Sequence, residues 1–171
     1  MKKTKKPTAI PVLPNARVGS IVGLLETLNE QGVKIDIYKL SESLGFKLND
    51  LMPITEAAEL LGFVKIESGD IELSDLGRQV VDGDENDKKS IFRQQMLANV
   101  LLARRIRSEL ETTSDYRIGR EVILEFLGSS FTPDESERQV LAIVDWARYA
   151  ELFDYDPETD QFFLPEKAEN A

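Results

Sequence analysis

Residues 60–77, LLGFVKIESGDIELSDLG, decide how this chain is read. The segment opens as a helix end closed at Gly62. FVKIE and DIELS then tend to alternate apolar and polar residues, the two-residue period of a half-buried strand. Ser68-Gly69 between them is a favourable tight-turn pair, so the two runs form a hairpin. Upstream lie the helices that the hairpin packs on. Asn15 is placed to cap a helix in which Val18, Ile21, Val22, Leu25 and Leu28 recur at helical spacing, and Gly32 stops it. VKID is short and extended, and IYKLSESLG is a second helix ending at Gly45. Asn49 or Asp50 caps a third helix, with Pro53 in its first turn, where a missing N–H is tolerated. Helix, strand, helix, helix, hairpin is the order of a winged helix.

The second half carries a related pattern. DENDKKSIFRQQMLANVLLARRIRSELE is strongly helical, but as one straight rod its apolar residues would cover two opposed faces. It is therefore either buried on both sides or bent near Asn99. Beyond that point Leu102, Ala103, Ile106 and Leu110 share one face, with Arg104, Arg105 and Arg107 away from it. REVILEFLG is a further helix. TPDE has the form of a capping box, with Thr132 as cap, Pro133 at the first position and Glu135 reaching back, and it opens a helix to about Ala150. LFDYD and QFFL make a second hairpin around PETD. AELLGFVKIESGDIEL and ARYAELFDYDPETDQFFL align as a weak repeat, with Ala58 opposite Ala147.

The expected architecture is mainly α with small β-hairpins, an α+β fold of tandem winged-helix-like modules joined by a long or bent helix. Residues 1–14 are expected as a basic disordered leader and 15–82 as the first module. Residues 83–164 hold the helical bridge and the second module, and 165–171 a disordered tail. A single α+β domain is the competing arrangement.

Composition removes much chemistry. The 171 residues contain neither cysteine nor histidine, which excludes disulfides, thiolate nucleophiles, imidazole bases and ordinary zinc sites. Phosphate-loop, nucleophile-elbow and dinucleotide-binding glycine patterns are absent, so no enzymatic activity and no cofactor is expected. DYDPETD alternates acids in the manner of a calcium loop. However, Thr159 and Pro165 stand where that loop needs glycine and glutamate, so no metal is expected. No apolar run approaches the roughly 20 residues that span a bilayer, and Pro11 and Pro14 interrupt the segment beyond the basic start. The expected location is cytoplasmic, without direct membrane insertion.

Charge is uneven: +4 over residues 1–16, −6 over 17–82 and −8 over 83–171. Most of the folded part therefore repels phosphate backbones. A groove-reading third helix needs Arg, Lys, Asn or Gln facing outward. Here Leu51, Ile54, Ala57, Ala58 and Leu61 face the core, and the opposite arc holds Met52, Pro53, Glu56, Glu59 and Leu60. The hairpin sets Lys65 against Glu67, Asp70, Glu72 and Asp75. Nucleic acid is thus disfavoured, and Met52, Glu56, Glu59 and Leu60 form a candidate protein contact. A solvated helix face has the same composition. Arg104, Arg105 and Arg107 are a second candidate contact, for an anion or an acidic partner, against the alternative of pairing with acids such as Glu109 and Glu111.

Several blocks resemble one family. LPNARVGSIVGLLETL, DLMPITEAAELLGFVKIESGDIELSDLGR, IFRQQML, RRIRSEL and DWARYAELFDYD are similar to the C-terminal AAA-associated domain. That domain is appended to ATP-binding subunits of ABC importers of the nitrate, sulfonate and taurine type. The likeness covers about residues 12–164, and the ATPase motifs that usually precede it are not in this sequence. What the resemblance implies is a non-enzymatic accessory or regulatory module whose partner is an ABC transporter ATPase subunit. Such a module would sit peripherally at the inner membrane through the transporter, and a homodimer is compatible with it. Two alternatives remain at this point: a winged-helix DNA-binding regulator using the lysine-rich leader or the arginine cluster, and a small-ligand sensor with a pocket between the modules.

Overall fold

The computed structural model describes residues 9–32 and 34–165. They form a mainly helical α+β fold with two three-stranded antiparallel sheets. The first half runs α1 (Val18–Gln31), β1 (Ile35–Asp36), α2 (Ile37–Leu44), α3 (Leu48–Leu60), β2 (Val64–Glu67) and β3 (Asp70–Leu73). Two helices come next, α4 (Asp75–Asp82) and α5 (Glu85–Asn99). The second half runs α6 (Leu101–Thr112), β4 (Arg117–Gly119), α7 (Arg120–Gly128), α8 (Pro133–Tyr149), β5 (Asp154–Asp156) and β6 (Gln161–Phe163).

The two halves repeat one topology. Sheet orders are β1-β3-β2 and β4-β6-β5, so in each the last strand lies in the middle. Ile71 of β3 pairs with both Ile35 and Ile66, and Phe162 of β6 pairs with both Ile118 and Tyr155. The repeat extends to the helix ends. The Phe63 N–H donates to the Ala58 carbonyl at 2.9 Å, and the Leu152 N–H donates to the Ala147 carbonyl at 2.9 Å. The Gly62 and Glu151 N–H groups bond to the Glu59 and Arg148 carbonyls. This double bond pattern closes a helix through one left-handed residue. Gly62 takes that place at φ 79°, and Glu151 takes it at φ 54°.

Buried apolar side chains from both halves join in one continuous cluster. Phe92 of α5 holds its centre. Its ring lies 5.0 Å from that of Phe63 in the first half and 5.1 Å from that of Tyr149 on α8. Tilted and edge-on pairs of this kind add about 0.5–1.5 kcal/mol to simple burial.

Several local expectations are corrected. The long bridging helix breaks at Val100 (φ −110°, ψ 104°), next to the expected bend at Asn99. The helix α4 and the strand β4 were not foreseen. Ser74 starts α4 by accepting the Gly77 N–H while donating to the Gly62 carbonyl at 2.6 Å. Here α4 runs against the chain so closely that a Cβ on Gly77 would fall 2.0 Å from the Phe63 carbonyl oxygen. Asn15 does not cap α1. The extended residue before the helix is Arg17, and the Val18 N–H is bonded by the Asp145 carboxylate of α8 at 3.0 Å. Lys47, not Asn49 or Asp50, precedes α3, which puts Pro53 inside the helix instead of in its first turn. Thr132 caps α8 as expected, but the Glu135 carboxylate turns to Arg138 and Gln139 instead of back to the cap.

The expected leader also ends too late at residue 14. Ile10 and Leu13 are buried, and the segment around them lies along α8 as a strap. The Ile10 N–H donates to Ser130 Oγ at 3.0 Å. Gln139, 2% exposed, accepts the Leu13 N–H at 2.7 Å and donates to the Leu13 carbonyl at 3.2 Å. The Trp146 indole N–H donates to the Ala16 carbonyl at 2.7 Å. An apolar pair in register with buried donors and acceptors orders a segment that its basic start conceals. Residues 1–8 of the leader and 166–171 of the tail lie outside the described residues.

Candidate interaction surfaces

On α3, Glu56 and Glu59 are exposed, as the periodicity requires. Met52 and Leu60 are half-buried, each packed in part against the core. The outward face is thus acidic with two apolar shoulders, and no arginine or lysine lies on it within the helix.

Each arginine of the α6 cluster is bonded within the fold. Arg104 donates to the Leu97 and Ala98 carbonyls at 3.0 and 2.9 Å, which caps the end of α5 across the break at Val100. Arg105 pairs with Glu109 at 2.8 Å and lies 4.8 Å over the Phe126 ring of α7. Arg107 pairs with Glu111 at 2.8 Å and donates to the Leu152 carbonyl at 2.8 Å. Each guanidinium thus ties α6 to a different neighbour.

The acids of the β5–β6 turn are likewise engaged by their own chain. Asp154 accepts from Arg148 and from the Tyr155 N–H, both at 2.7 Å. Asp156 accepts the Glu158 N–H and the Thr159 hydroxyl, bonds that hold its carboxyl below the usual carboxylate range. Asp160 accepts the Tyr155 hydroxyl, and that bond raises the tyrosine's pKa. Among the described residues no group of three or more acids is arranged to hold a metal ion.

Two grooves flank α1. The first, about 250 Å³, is apolar and lies between α1, α2 and α3, lined by Leu24, Leu44, Phe46, Leu51 and Ile54. Phe46 stands at 48% exposure and Leu48, at the start of α3, at 38%. The second is an open cleft of about 490 Å³ where α1 faces the start of α5 and the last turns of α8. Val18, Gly19, Val22, Gly23 and Tyr149 make its floor and wall, and Glu26, Glu85, Asp145 and Arg148 its rim. Burial and the nearby Glu85 carboxylate raise the Tyr149 pKa.

Sequence reasoning did not find these grooves. Their walls come from residues such as Val18 and Tyr149, far apart in the chain and indistinguishable from core positions by periodicity alone. The glycines of α1 were the one available signal, since glycine weakens a helix interior unless something requires it.

No helix among the described residues is long and apolar enough to cross a membrane. The sequence model of one family, described as the C-terminal AAA-associated domain, matches residues 38–156. No curated protein and no solved structure matches.

Proposed function

The chain belongs to the C-terminal AAA-associated domain family, and from that premise we propose that it is a non-catalytic regulatory module docking on the ATP-binding subunit of an ABC importer. Family membership carries this reading. Its members are accessory domains of an ATPase, so the activity to be regulated lies in the partner. The resemblance of several blocks to the domain appended to importers of the nitrate, sulfonate and taurine type supports a partner of that class, with the module held peripherally at the inner membrane through the transporter. The repeated topology is read here as two winged-helix-like modules, at 15–82 and 83–164, used for protein contact.

The proposed contact is the outward face of α3, where Glu56 and Glu59 present charge and Met52 and Leu60 present partly exposed apolar surface. Partly exposed apolar groups beside charged ones are the mixture from which protein interfaces are built. Nucleic acid is the poorer fit, because carboxylates facing phosphates release no counterions. The arginines of α6 are assigned to holding the fold, since each already has its acceptors.

Mixing the purified chain with its cognate ATP-binding subunit tests the reading. A co-eluting complex and an altered ATPase rate are expected, with both effects reduced by Met52→Lys. Absence of a complex at tens of micromolar would overturn it.

A further inference from the structure

We propose that the cleft between α1, α5 and α8 receives a helix of a partner protein, one that carries small side chains on one face and lysines or arginines beside them. The inference takes the accessory-domain reading as its premise and adds a second contact with its own chemistry.

The floor of the cleft lacks side chains where a helix would lie. Gly19 and Gly23 are one helical turn apart on α1, and a Cβ built on either meets nothing within 4 Å. Glycine weakens a helix interior relative to alanine, and no side chain of the described residues fills the room gained. What the two glycines provide is a smooth strip on which another backbone can approach closely. Val18, Val22 and the Tyr149 ring supply apolar surface beside it. From Val18 to Glu26 the strip runs over two turns of α1, about 12 Å, which is the footprint of a helix rather than of a small metabolite.

The rim sets the charge of the occupant. Glu26, Glu85 and Asp145 line it with carboxylates. Glu85 has Lys88 at 3.9 Å, and the Asp145 carboxylate accepts the Val18 N–H. Among the described residues the one cation lining the cleft, Arg148, is turned to Asp154 at 2.7 Å and to the Tyr155 carbonyl at 3.2 Å. An apolar strip bordered by three carboxylates and one neutralised arginine complements a basic amphipathic helix and repels an acidic one.

A fluorescein-labelled 18-residue alanine-rich helical peptide with lysines flanking its alanine face is the probe, alongside a twin with glutamates in place of the lysines. The lysine peptide should bind in fluorescence anisotropy and the glutamate twin should not. Gly19→Leu, Gly23→Leu and Glu85→Lys should each weaken binding tenfold or more, while Glu158→Lys on the β5–β6 turn, outside the cleft lining, should leave it unchanged. Gly19→Ala and Gly23→Ala should each raise the Tm by about 2–4 °C, because the added methyl group enters open space. Equal loss with Glu158→Lys and Glu85→Lys would reduce the effect to general attraction and overturn the proposal. So would unaltered binding by the leucine variants, or a chain dimer in sedimentation that Gly19→Leu dissociates. Failure of the ATP-binding subunit to bind while the peptide binds would refute the accessory reading and leave the cleft's specificity standing.

Discussion

Replacing Gln139 by leucine isolates the strap that ties the start of the chain to α8. Gln139 is 2% exposed, and its amide makes both an acceptor bond and a donor bond to the peptide groups of Leu13, at 2.7 and 3.2 Å. Leucine is larger than glutamine by about one methylene, so no cavity opens and the main loss is of hydrogen bonds. A buried N–H and a buried carbonyl lose their partners, each at about 1–3 kcal/mol. That sum is not reached in full, because the strap can release and return both groups to water. The loss is therefore limited by the docking free energy of the strap itself, and about 2–4 kcal/mol is expected.

Urea unfolding gives the stability, and Trp146 reports on the strap directly. It is the single tryptophan of the chain, and its indole N–H is bonded to the Ala16 carbonyl at 2.7 Å. Gln139→Leu should lower the urea midpoint, shift the tryptophan emission to the red and speed exchange of the Leu13 amide. Gln139→Glu should be worse near neutral pH, since it sets a carboxylate against both Glu135 and the Leu13 carbonyl. A stability change below about 0.5 kcal/mol with unaltered emission and exchange would refute the reasoning.

Three further predictions rest on separate features. Arg104→Ala removes the bonds that cap α5 and should lower stability by about 1 kcal/mol without weakening partner affinity; a lost complex at unchanged urea midpoint would return Arg104 to the interface. Gly77→Ala should destabilise by about 3 kcal/mol or more, read by urea unfolding, because its methyl group would overlap the Phe63 carbonyl oxygen; a wild-type midpoint would refute the close approach. Glu151 has its pKa lowered, first by its hydrogen bond to Lys89 and then by that lysine's charge. Its contribution is present above the ordinary carboxyl value and lost as pH falls through the lowered one. Thermal unfolding should therefore show wild type above Glu151→Gln at pH 7 and the gap closing as pH falls below the ordinary carboxyl range, and a gap independent of pH would count against it.

What the sequence disclosed was local. Ser68-Gly69, Thr132-Pro133 and the apolar period after Asn99 each act within a few residues, and the structure places a turn, a cap and a helix break there. The Ala58–Ala147 correspondence was legible because a helix end and its hairpin form one local unit. What it concealed was set by distant groups. The cap of α1 is a carboxylate 127 residues away, and the Gln139 that orders the strap is 126 residues from Leu13. Arg107 looked available because its acceptor, the Leu152 carbonyl, is 45 residues further on. Basic residues at the start drew attention to charge, while Ile10 and Leu13 carried the packing. The cleft at Gly19 and Gly23 lay hidden for the same reason, since Asp145, Arg148 and Tyr149 of its lining come from α8.

The strap also fixes how the molecule answers to tension. It runs beside α8 in the same direction, with Ile10 at Ser130, Leu13 at Gln139 and Ala16 at Trp146. A pull on the chain upstream of Ala9 against an anchor beyond the end of α8 therefore draws the two segments along one another in shear, and the three attachments share the load instead of parting one by one. While they hold, α1 is shielded, its Val18 N–H still on Asp145. Under such a load the strap works as a clamp at the entrance to the fold.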